Sequence, residues 1–251
     1  MEIQLTHDGR RFRADLSRPI DISIPLRHGM ENPNCFYATP PEFNPLREGD
    51  FTGSVAAGAP VNFFNVRINP HGNGTHTECV GHISPEGVTI NQQLKKFHFI
   101  AKLISLFPVK TPDGDRIITR DQVEGGCRPG EAEALILRTL PNDRLKLRTH
   151  YSGANPPYLQ REAVLHLVEC GIRHLLVDLP SVDREEDGGA LAAHRAFWDY
   201  PGASRKDCTI SELIFVDNSV KDGLYLLNLQ IASFELDVSP GKPVLYSLDL
   251  I

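Results

Sequence analysis

The chain has 251 residues, of which 41% are hydrophobic and 23% charged, and a formal net charge of −6. That is an ordinary globular composition, long enough for one large domain or two small ones with ample core. Its basic residues form no patch, since Arg10–Arg11 and Lys95–Lys96 stand as isolated pairs, which argues against a nucleic-acid or membrane-surface partner.

No apolar run reaches the roughly 20 residues of a bilayer span, and residues 1–9 lack the basic start and apolar stretch of a secretory signal. The five cysteines, at 35, 79, 127, 170 and 208, are odd in number and contain no Cys-x-x-Cys. Free thiols in a reducing, cytoplasmic compartment are expected rather than a disulfide framework.

Taken in chain order, residues 19–80 alternate short apolar runs with Pro and Gly, which predicts short strands and loops. Residues 103–107 and 134–138 are buried-strand candidates. The spacing of Leu159, Ala163 and Leu167, with Val164 and Val168 beside them, predicts a helix from Leu159 to Cys170. Asn155 is placed as its cap, and Gly171 closes it. Residues 174–179 read as a strand. The expectation is a single α/β domain over residues 1–251 with β-rich walls.

The densest chemistry lies in His71-Gly-Asn-Gly-Thr-His76-Thr-Glu78-Cys-Val-Gly-His82, with three histidines and a carboxylate in twelve residues. Imidazole nitrogens and carboxylate oxygens suit a borderline divalent cation such as Zn²⁺ or Mn²⁺. If residues 76–82 are extended, His76, Glu78 and His82 share one face while Cys79 points to the other. His71 has the wrong parity, which a β-bulge at 72–74 would correct. Cys79 is expected to be a small buried residue. Phe36, Tyr37, Phe63 and Phe64 could line an aromatic pocket or pack in the core.

This segment resembles the motif His-x-Gly-Thr-His-x-Asp-x-Pro-x-His of the metal-dependent cyclase-like hydrolases, a family that includes bacterial kynurenine formamidases and isatin hydrolases. Gly74-Thr75-His76 and His82 match, and Glu78 stands at the Asp position. Further similarity lies in Leu137-Arg138-Thr139, in the run from Asp178 through Pro180, Ser181 and Val182 to Asp183, in Ala193-His194, and in Ser211-Glu212-Leu213. The chain departs from the motif by one extra residue after His71, by Glu for Asp at 78, and by Val80 for Pro.

The resemblance implies a swivelling β/β/α domain with a mixed, barrel-like β core and flanking helices. It implies that His71, His76, Glu78 and Glu212 hold one divalent metal, that Glu78, His194 and Glu212 hold a second, and that His82 is the acid–base residue. The implied reaction is metal-assisted hydrolysis of a formamide or cyclic amide in a small molecule, by a homo-oligomer such as a dimer or tetramer. Asp178 and Asp183 are expected to be structural, at a strand end and a turn. Two rivals are a non-catalytic binder on the same scaffold and a Cys79–His82 thiol enzyme.

Overall fold

The computed structural model describes residues 1–251. Its centre is a closed barrel of seven strands: β1 (His76–Glu78), β2 (His98–Leu106), β3 (Ala134–Thr139), β4 (His174–Val177), β5 (Thr209–Glu212), β6 (Gly223–Ile231) and β7 (Val238–Ser247). The ring runs β6-β2-β3-β4-β5-β1-β7 and returns to β6. The β2–β3, β3–β4 and β4–β5 pairs are parallel, and the other pairs are antiparallel. This is the mixed, barrel-like β core with flanking helices that the family resemblance implied.

Five helices accompany the barrel: α1 (Pro70–Asn73), α2 (Ile90–Gln93), α3 (Arg120–Gly126), α4 (Arg161–Glu169) and α5 (Ala192–Trp198). None is long and apolar enough to cross a membrane.

The parallel strands read as unbroken apolar runs because both of their faces are buried. Side chains alternate along β3: Leu135 and Leu137 face outward onto a core shared with Val123 of α3, Val164 and Leu167 of α4 and Phe197 of α5. Ala134 and Ile136 face inward with Leu103, Leu176, Leu227 and Leu245. Truncating a fully buried leucine such as Leu167 to alanine would cost about 2–5 kcal/mol through lost transfer energy and a residual cavity.

The four-residue apolar spacing gives α4, but the helix begins at Arg161, and Leu159 lies instead in a two-residue strand beside Ile118; Gly171 follows the helix in the left-handed region at φ 86°. Asn155 is not its cap. Gln160 takes the N-cap position, whereas the Asn155 amide donates to Asp115 at 2.9 Å. The proline-rich segment between them keeps Asn155 outside the helix. Within the 19–80 segment of short strands and loops, the first strand is only Ile20–Asp21, paired with Leu245 and Val244 of β7.

All five cysteines are free and buried. Phe36, Tyr37, Phe63 and Phe64 are all exposed, which overturns core packing for them. The last two belong to an arm in which Glu42–Pro45 pairs with Phe64–Arg67 away from the barrel.

His174 starts β4 buried against the Phe99 ring at 3.9 Å, with Nδ1 2.9 Å from the Thr209 hydroxyl. Burial and then the nearby Arg173 push its pKa down to about 3. The folded form therefore binds its proton less readily than the unfolded chain, so this stabilising contribution is present above the unfolded pKa and is lost as pH falls toward the folded one. Between pH 7 and 5.5 the wild type should lose about 1 kcal/mol more stability in urea melts than His174→Asn. Equal losses would exclude His174 as the source.

Candidate functional site

The short strand β1 lies in the barrel wall between β5 and β7, with Ile210 and Val238 both paired to Glu78, and Glu212 and Pro240 both paired to His76. All three of its side chains are buried, two of them ionisable. His76 Nδ1 sits 2.9 Å from the Gly74 carbonyl. A carbonyl only accepts, so Nδ1 carries the hydrogen, and in the neutral ring Nε2 presents a lone pair. That Nε2 lies 3.2 Å from Glu212 Oε2. The other Glu212 oxygen, Oε1, accepts from the Val182 amide at 2.9 Å.

His71 reaches the same place from a helical turn rather than from a bulged strand. There is no bulge at 72–74. Residues Pro70–Asn73 form a helical turn whose N-cap, Asn69, accepts from the Gly72 amide. Gly72 is required by close approach, because a Cβ there would stand 2.3 Å from the Ala38 Cβ. His71 Nε2 then lies 3.5 Å from Glu78 Oε2.

His82 also arrives differently. The extended run stops at Glu78, and Val80–His82 form a 3-10 turn. Gly81 permits this, since a Cβ there would fall 1.9 Å from the Val88 carbonyl oxygen. The turn sets His82 Nδ1 3.6 Å from Glu78 Oε2, with the side chain 31% exposed.

From α5, His194 points Nε2 at Glu78 Oε1, 3.1 Å away, and lies 3.9 Å from Glu212 Oε1. Its Nδ1 sits 2.6 Å from Asp183 Oδ2, and the same carboxylate accepts the amides of Ala193 and His194. Asp183 thus fixes both the turn, as expected, and the orientation of His194. Asp178 is structural in the stricter sense: it pairs with Lys146 at 2.7 Å and accepts from Thr139, tying together the ends of β3 and β4.

The structure therefore brings His71, His76, Glu78, His82, His194 and Glu212 into one cluster. It adds Asp237, which no motif or spacing in the sequence marks. Asp237 immediately precedes β7, and its Oδ2 lies 3.0 Å from His71 Nε2 and 3.4 Å from His82 Nδ1. Its only sequence signal was a carboxylate at the start of a strand, which becomes informative once β7 is known to pair with β1.

Charge follows from this packing. Burial disfavours the charged form of Glu78, yet His82 and His194 hold its pKa down at about 2. Burial likewise opposes charge on His194, but Asp183 and Glu78 push it up to about 10. Carboxylates thus draw positive charge into the cluster, a demand that protons or a metal ion can meet.

Three buried atoms have no hydrogen-bond partner: His71 Nε2, His76 Nε2 and Glu78 Oε2. Asp237 and Glu212 oxygens lie near the two imidazoles, but these contacts do not meet hydrogen-bond geometry. Donor atoms of His76, Glu78 and Glu212 lie within 4.8 Å of one another, as do those of His71, Glu78 and His82. Nitrogen and oxygen donors in these sets fit a borderline divalent cation.

Cys79 belongs to the inner core, and burial pushes its thiol up to about 11, which removes the thiolate a nucleophile needs. A narrow cleft lined by Cys35, Phe36, Tyr151, Pro180 and Ser181 reaches Asp183 behind His194. A roomier cavity of about 420 Å³ opens between Lys146, Tyr151 and Pro157, with no member of the cluster in its lining.

Relatives carry the comparison further. Kynurenine formamidase of Bacillus thuringiensis (strain Al Hakam) is 28% identical over 233 residues, covering 90% of this chain and 96% of its own. Kynurenine formamidase of Bacillus mycoides (strain KBAB4) is 26% identical over 235 residues, covering 91% and 97%. Among solved structures, isatin hydrolase A from Labrenzia aggregata superposes with a TM-score of 0.66 at 13% identity, over 92% of this chain and 94% of that one. A family model described as "Putative cyclase" matches residues 15–184, more than half of the chain. The chain belongs to the Cyclase family.

Proposed function

We propose that the protein is a metal-dependent hydrolase that cleaves an amide-like C–N bond, a formamide or a cyclic amide, in a small molecule. The observation that carries this reading is the set of three buried donor atoms, His71 Nε2, His76 Nε2 and Glu78 Oε2, that converge without hydrogen-bond partners. Buried polar atoms are normally satisfied, and exceptions mark a role. The kynurenine formamidase relatives, matched over nearly their whole length, support the bond class.

In this reading His71, His76, Glu78, His194 and Glu212 would hold one or two divalent ions, Zn²⁺ or Mn²⁺. When bound, such a cation supplies a Lewis acid for a carbonyl oxygen and lowers the pKa of a water.

The chain's own groups do the rest. The Gly74 carbonyl and the Asp183 carboxylate fix the rings of His76 and His194 through Nδ1, which leaves Nε2 as the donor atom of each. The Val182 amide fixes Glu212. His82 stands at the rim, partly exposed beside Glu78 and Asp237, and is placed to carry a proton between solvent and the leaving nitrogen. The exposed Tyr37, Phe63, Phe64 and Val66 support a homo-oligomer, a dimer or tetramer. Residues 1–251 would form a single domain that works in the cytoplasm.

Formylkynurenine is the first substrate to assay, followed by isatin and a panel of small lactams. His76→Ala should lose bound metal and lower kcat/KM by at least about 100-fold; full metal content by elemental analysis would remove His76 from the ligand set. His82→Ala should keep its metal while turnover drops by about 10²–10⁴; normal turnover would end its proton-transfer role. Chelator should abolish activity and thiol alkylation should leave it intact. Binding of these compounds without any chelator-sensitive turnover would favour a non-catalytic binder instead.

A further inference from the structure

We propose that Asp237 is a positioning residue of this site, one carboxylate oxygen that sets the spacing between His71 and His82. The proposal rests on the reading above in which His71 binds metal and His82 moves the proton.

The geometry is specific. Asp237 Oδ2 lies 3.0 Å from His71 Nε2 and 3.4 Å from His82 Nδ1. The two imidazole rings face each other with centroids 4.5 Å apart and planes tilted by 32°. Nothing in the local backbone imposes that pairing, since His71 comes from a helical turn and His82 from a 3-10 turn. Two carboxylate oxygens lie near both nitrogens, Glu78 Oε2 at 3.5 and 3.6 Å and Asp237 Oδ2 at 3.0 and 3.4 Å, and Asp237 supplies the nearer one.

Asp237 is itself held firmly. Its carbonyl accepts from the Cys79 amide at 3.0 Å, and the carbonyl of Leu236 accepts from the Ile90 amide at 2.7 Å. One residue earlier, the Glu235 carboxylate accepts from the side chains of Thr89, Asn91 and Gln92, at 2.8, 2.5 and 3.0 Å. Gly81 leaves room for it, because a Cβ at that position would approach the Asp237 Cβ to 3.2 Å. The carboxylate thus enters from the segment leading into β7, on a backbone locked to the segment that carries Glu78 and His82.

A carboxylate facing His82 Nδ1 favours the ring orientation seen here and leaves the other nitrogen for proton exchange.

The test uses the zinc-loaded, full-length protein with formylkynurenine as the probe. Asp237→Asn should lower kcat by about 10- to 100-fold with little change in KM and with metal content equal to wild type. Asp237→Glu should recover part of the loss. In long-range ¹H–¹⁵N spectra of the ¹⁵N-histidine protein, Asp237→Asn should move the ring-nitrogen signals of His71 and His82 and leave those of His174 in place. Unchanged kcat, or unmoved His71 and His82 signals, overturns the proposal. So does loss of metal matching that of His76→Ala, which would make Asp237 a ligand. If the wild type binds metal but leaves the probe intact, the hydrolase reading fails on its own, and the ring-nitrogen signals still decide the role of Asp237.

Discussion

A three-residue strand with no exposed side chain holds this molecule closed. His76–Glu78 is the only segment that pairs with both β5 and β7, so the ring of strands depends on its register. Two of its three side chains are ionisable, and a buried, uncompensated charge costs several kcal/mol. The surrounding elements supply the compensation: α1 brings His71, the 3-10 turn brings His82, α5 brings His194, and β5 brings Glu212 directly opposite His76. A slip of one residue would turn Glu78 and His76 away from all of them. Barrel closure and site assembly are therefore one structural event.

The parts of the fold with strong periodicity were legible in the sequence. The run of apolar residues in β3 and the four-residue spacing of α4 each have a single low-energy solution, and the structure adopts it. Spacing made His71, His76, Glu78 and His82 legible as one group, because glycines and histidines packed closely mark a place where side chains converge, whereas His194 and Glu212 entered only through the family resemblance. The local geometry of the cluster was not legible. Alternation along an imagined strand placed His82 correctly for the wrong reason. The chain instead turns at Gly81, whose need for close approach to Val88 involves a tertiary neighbour that spacing cannot reveal.

The same limitation explains the two carboxylates. Asp178 and Asp183 look alike as polar residues flanking a turn, yet one neutralises Lys146 beneath the strand ends and the other orients His194. Asp237 was invisible for a related reason. Its meaning comes from strand pairing across most of the chain, and Phe-Glu-Leu-Asp-Val alone offers two carboxylates with nothing to rank them. Glu235 and Asp237 face different tasks, the first binding the turn at Thr89 and the second the imidazoles. Asn155 failed as a cap because cap chemistry was inferred from residue type next to a helix whose start is fixed by Arg161.

The placement of β1 in the barrel seam has a thermodynamic consequence. Any ligand held by His76, Glu78 and Glu212 bridges two strands of the seam and cannot persist once those strands separate. Such a ligand binds only the closed form, so its free concentration becomes a folding variable. At 100 times its dissociation constant it stabilises the closed barrel by about 2.7 kcal/mol, comparable with removing a fully buried leucine from the core. Supply of that ligand would then set what fraction of the molecules stay folded.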